Sequence, residues 1–202
     1  MEVHIMVRQD YHIEAAALSD VTMQESIDWL RERGLPICFE QVALIPERAS
    51  RLADSRISYE RTHFNVHFSG SALSRALDEL CAADADYAWE QIGKRPTYVV
   101  YPARGSALWW PVPAQDFTGV DWITAIQRVI TSGHQGIALF PRGLERQPKT
   151  VLESFTPGES VARCWLAALV DYVNQGRFWT LGGVASARTL VIGQVAPAVD
   201  AR

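Results

Sequence analysis

Apolar residues change their spacing several times along the chain, and each change marks a predicted element. Phe64, Val66 and Phe68 alternate with His63, Asn65 and His67, the pattern of a strand with one buried and one polar face. Leu73, Ala76, Leu77, Leu80 and Cys81 then recur at i, i+3, i+4, i+7 and i+8, the stripe of an amphipathic helix. An earlier helix is predicted from Thr22 to about Arg33. Met23, Ile27 and Leu30 lie on its inner face, a Thr22–Glu25 capping box opens it and Gly34 stops it. Short apolar runs at Ile37–Glu40, 87–91 and 97–101 read as strands, as do 2–7, 11–18 and 56–68. Residues 47–55 read as a short exposed helix, and Gly93–Pro96 as a turn.

The same grammar returns in the second half. Thr118–Asp121 is expected to cap a helix with Ile123, Ile126 and Ile130 on one face and Gly133 at its end. Strands follow at Ile137–Phe140 and Thr150–Phe155, separated by a polar loop over 141–149. Thr156-Pro157-Gly158-Glu159 is an expected helix start, followed by the stripe Val161, Cys164, Trp165, Ala168 and Leu169. Phe178–Thr180 and Thr189–Ile192 read as strands around a Gly182-Gly183 turn, and 196–202 as a frayed tail. Both halves thus read β-α-β-β-α-β-β. The predicted fold class is α+β: two tandem repeats with helices packed on small mixed sheets, one over 1–102 and one over 103–202. Residues 103–116 serve as linker and opening strand.

Composition narrows the function. The 202 residues are 48% apolar and 21% charged, as in a globular protein. A net charge of −4 with scattered basic residues lacks the footprint of a nucleic-acid binder. No run approaches the roughly 20 apolar residues of a membrane-spanning helix, and no signal peptide is expected from MEVHIMVRQD. Cys38, Cys81 and Cys164 sit among apolar residues and read as small buried hydrophobes. His63 and His67 would stand about 13 Å apart on a strand, too far to share a metal ion.

The stretches FNVHFSGSALSRALDEL and YAWEQIGKRPTYVVYP resemble the secretin and TonB short N-terminal domain. In that family the second helix follows a strand with a small polar turn, and the last two strands form a hairpin. The resemblance covers the first half and, more loosely, the second. It implies a non-enzymatic module of bacterial envelope proteins that contacts other proteins, placed in the periplasm or cell envelope. Outside that setting the chain would be cytoplasmic.

No catalytic motif stands out: G-x-S-x-G, H-E-x-x-H, C-x-x-C and the P-loop pattern are all missing. No catalytic residue, cofactor or metal is expected. The distinctive asset is seven Trp, with Trp109 and Trp110 adjacent. Strand alternation points one in and one out; packing of the two units on each other would bury both, and burial of both is the expectation. An outward Trp beside Arg104 would suit a protein-binding hot spot. The leading reading is a protein-interaction module in an envelope or regulatory assembly. The alternatives are a ligand-binding protein or enzyme with its cleft between the repeats, lined by Trp109, Trp110, His134 and Arg142, and a cytosolic inhibitor or partner protein.

Overall fold

A computed structural model describes residues 11–46, 59–92, 97–133, 136–140, 150–173 and 176–195. The strand expected over 2–7, the helix over 47–55, the turn at 93–96, the loop over 141–149 and the tail after 195 lie outside these residues.

In the first half β1 (His12–Ile13) and β2 (Ala16–Val21) lead into α1 (Met23–Arg31). The capping box is formed: Glu25 N–H donates to Thr22 Oγ1 at 3.3 Å, and Thr22 N–H donates to Glu25 Oε2 at 2.8 Å. Next come β3 (Ile37–Glu40), β4 (Ile45–Pro46), β5 (Tyr59–Glu60), β6 (Phe64–Phe68) and β7 (Ser71–Ala72). α2 (Leu73–Ala83) buries Leu73, Ala76, Leu77 and Leu80, the stripe read from the sequence. β8 (Tyr87–Ile92) and β9 (Thr97–Pro102) end the half. The second half holds β10 (Pro111–Val112), α3 (Trp122–Gly133), β11 (Ile137–Phe140), β12 (Ser160–Val161), α4 (Ala162–Val173), β13 (Arg177–Val184) and β14 (Ala187–Gln194).

The fold is α+β, and its centre is a mixed sheet that draws strands from both halves, in the order β11-β14-β13-β3-β9-β8. β3 pairs β9 in parallel and β9 pairs β8 antiparallel; β11 pairs β14 in parallel and β14 pairs β13 antiparallel. The halves meet where β13 runs parallel to β3, with Thr180 opposite Phe39 and Leu181 opposite Glu40.

Alternation along β3 divides the core. Ile37 and Phe39 face α1 and α2 together with Tyr98 and Val100. Cys38 and Val99 face the other way, into a core closed by α3 and α4 with Trp165, Trp179, Leu181 and Leu190. The second half's helices therefore cover strands of the first. Outside α2, β2 and β6 form a separate antiparallel pair.

Four local readings are corrected. Residues 107–110 are not an opening strand: Ala107 and Leu108 form a turn, and pairing begins only at Pro111. The segment 150–155 makes a single bridge, Val151 with Asp121; its other backbone–backbone bonds go to Phe117, Gly119, Val120 and Trp122, before and at the start of α3, and these carry Leu152 and Phe155 inward. Thr156–Glu159 does not start α4. The helix begins at Ala162, where the amides of Ala162 and Arg163 donate to the carbonyls of Trp110 and Leu108, so backbone rather than a side chain caps it. Gly182 and Gly183 lie inside β13, and the chain turns at 185–186. Gly183 has φ 113°, and a Cβ there would meet the Ala187 carbonyl oxygen at 2.5 Å, which explains the glycine without a turn. At the end of α3, Gly133 packs against the Trp110 indole with no room for a Cβ.

Candidate functional site

Arg31, Arg188 and Arg163, all buried, cross between the halves. Arg31, the last residue of α1, donates through Nε (3.0 Å) and Nη2 (2.6 Å) to the Ile37 carbonyl, and through Nη2 to the Trp179 carbonyl at 3.4 Å. Its guanidinium stacks on Phe178, 3.9 Å from the ring centroid, so α1 is tied to β13. Burial lowers its pKa, while Asp28 at 3.0 Å opposes that loss.

Arg188 on β14 reaches across the bare Gly182–Gly183 stretch of β13 to Glu40, the fully buried last residue of β3. Nη1 stands 3.2 Å from Glu40 Oε1, and Nη2 donates to the Gln41 carbonyl at 2.6 Å. Glu40 also accepts from Ser106 Oγ at 2.7 Å and from the Ala107 amide. A cleft of about 430 Å³ opens beside this pair, lined in part by Gly105, Ser106, Gly136, Ser186 and Arg188. Arg188 and Glu40 neutralise each other, and Ser106 is committed to Glu40, so the cleft offers a substrate no uncommitted charge of theirs.

The third arginine sits at the sheet's edge. Arg163, in the first turn of α4, pairs through Nε with Glu90 Oε1 on β8. Its guanidinium lies between the rings of Tyr101 (4.0 Å) and Trp109 (4.4 Å). Arg163 is almost wholly buried, yet Trp109 is 63% exposed. Cys164 Sγ is 3.7 Å from Glu90 Oε1. Burial, reinforced by the Glu90 carboxylate, raises the pKa of both Cys164 and Tyr101. The Cys38 and Cys81 thiols are pushed up to about 12, first by burial. All three thiols are free, and the raised values make them poor nucleophiles.

The residues singled out in the sequence are therefore only partly brought together. Trp110 is buried in the second core and Trp109 is not; the expectation that both are buried is corrected. The reason is the turn before them, which detaches Trp109 from any sheet face. Arg104 is exposed, and the cation stacked beneath Trp109 is Arg163. His134 and Arg142 lie outside the described residues. His63 is exposed and stands 3.4 Å from Asp20 Oδ1, His67 is exposed, and no metal-holding cluster occurs among the described residues. Sequence reasoning missed Arg163, Glu90, Arg188 and Glu40 because each partner is distant along the chain. The one local signal was a charge, Arg163, inside the otherwise apolar stretch from Val161 to Val170. Among the described residues no helix is long and apolar enough to cross a membrane. Set against protein families, curated proteins and solved structures, the chain matches none of them.

Proposed function

We propose that this chain is a non-enzymatic protein-interaction module, similar to the secretin and TonB short N-terminal domain, that works within a bacterial envelope or regulatory assembly. The observation that carries the reading is Trp109, exposed and stacked on a guanidinium that Glu90 and Tyr101 already hold in place. Trp, Tyr and Arg are the residues richest in binding energy at protein interfaces. A side chain fixed before binding loses little entropy on docking, so the stack favours a protein surface as its ligand.

The test is site-specific photo-crosslinking in the native host. A photoreactive phenylalanine at position 109 is expected to give a discrete adduct with another polypeptide; one at Tyr172, exposed elsewhere, is not. Recovery of the adduct from the envelope fraction supports the envelope setting, and recovery from the cytosol redirects the search to soluble partners. No adduct at 109, together with a small molecule that raises the melting temperature of the wild type but not of Ser106→Trp, overturns the reading in favour of a ligand site in the cleft.

A further inference from the structure

The strand order across the central sheet has a definite symmetry. Each triplet, β11-β14-β13 and β3-β9-β8, contains a parallel pair followed by an antiparallel pair. The parallel β13–β3 junction makes β14 antiparallel to β3. From one triplet to the next the lateral order is kept, the strand directions reverse and the covering helices change face. A half-turn about the lateral axis of the sheet, with a step along that axis, carries one triplet onto the other.

Such a junction is head-to-tail. A β13 flank meets a β3 flank, and the flanks left over are β8, which corresponds to β13, and β11, which corresponds to β3. A heterologous contact of this kind is not self-satisfying; it extends, or closes only if the accumulated rotation permits. Among the described residues neither leftover flank is paired with another strand. On β11, Ala138 and Phe140 are exposed, Phe140 at 56%. An open apolar edge is a template for strand addition.

We propose that β8 of one chain pairs in parallel with β11 of a second copy, so that the sheet continues from chain to chain as it does from half to half. The inference rests on the interaction-module reading and names its partner as this same chain. The sense of pairing follows from the symmetry. Two successive half-turns restore strand direction and face, so the incoming copy has the same orientation and brings β11 alongside β8 in parallel. The Trp109–Arg163 stack adjoins this flank through Glu90, a β8 residue, and the incoming copy would cover it.

Cysteine pairing tests the geometry. Paired strands lie about 4.8 Å apart, within the roughly 4.4–6.8 Å between Cα atoms that a disulfide spans. Gln91→Cys chains mixed with Ala138→Cys or Phe140→Cys chains are expected to give a disulfide dimer under mild oxidation. Each variant alone, and the wild type with its three free cysteines, is expected to give none. In sedimentation, the mass of the full wild-type chain is expected to rise with concentration past the dimer. Phe140→Lys is expected to stop that rise with the melting temperature unchanged. A monomer at every concentration with no mixed disulfide overturns the inference. So does a disulfide from Gln91→Cys alone, which would mean a closed antiparallel dimer. If the chain stays monomeric while position 109 crosslinks to a different protein, self-pairing fails and the interaction-module reading stands.

Discussion

Arg188–Glu40 and Arg163–Glu90 join the same two residue types across the same two halves, and they differ in what surrounds them. At the centre of the sheet Glu40 is fully buried and takes further bonds from Ser106 and the Ala107 amide, while Arg188 also binds the Gln41 carbonyl. At the edge the Glu90 side chain keeps 30% of its exposure, and the arginine is held by two rings, one of them open to solvent. The first pair is enclosed by polar groups that bond both Glu40 oxygens and both terminal nitrogens of Arg188, leaving only its Nε without a partner, so its cost falls on whatever removes one partner. The second is enclosed by aromatic faces, so its charge organises a surface. One chemistry thus closes the middle of the sheet and, at its rim, holds an exposed Trp109 in place.

The comparison breaks most sharply at the centre. Arg188→Ala leaves the Glu40 carboxylate buried and without its cation, a loss of about 3–5 kcal/mol, read as a lowered denaturation midpoint. The double variant Arg188→Met with Glu40→Met is expected to recover most of it. At the edge, Arg163→Ala lets Glu90 turn to water and is expected to cost about 2 kcal/mol, near the worth of a hydrogen bond to a charged group. Equal losses for the two arginine variants would remove the distinction. Thr22→Ala, which deletes the α1 cap, is expected to cost about 1 kcal/mol. Glu25 adds a pH signature to that cap. Bonds from the Thr22 amide and hydroxyl hold its carboxyl below the ordinary carboxylate range. Its contribution is present above the unfolded carboxylate's pKa and is lost as pH falls through the lower folded value. Glu25→Gln is therefore expected to flatten the acid limb of a melting-temperature profile. The smallest effect on stability belongs to Trp109→Ala, about 0.5–1 kcal/mol, the worth of a cation–π contact open to solvent on one side, even as it removes the proposed docking point. A large loss there would mean that Trp109 supports the fold instead.

Local rules made α1, β6 and α2 legible. The Thr22–Glu25 box, the alternation at Phe64–Phe68 and the stripe from Leu73 to Leu80 each specify an element through near neighbours. The second half was less legible because tertiary contacts override its local signals. Pro157 and Glu159 spell a helix start, but the carbonyls of Trp110 and Leu108 draw the start to Ala162. Gly182-Gly183 spells a turn, but Gly183 is needed inside β13, where its φ is positive and a Cβ would strike the Ala187 carbonyl of the facing strand. Trp109 was legible as unusual; its cation was not, since Arg163 and Glu90 meet only after β8 and α4 have packed.

The parallel contact of β13 with β3 also has a consequence for synthesis. β3 spans Ile37–Glu40, while β13 begins at Arg177, so a strand made early waits for a neighbour made late. Until Arg177 leaves the ribosome, β3 can have β9 on one flank but lacks its native neighbour on the other. Closing so long a loop is slow compared with forming local helices. The growing chain therefore passes through a stage in which its most buried strand is a bare edge, and that stage lasts as long as translation of the second half.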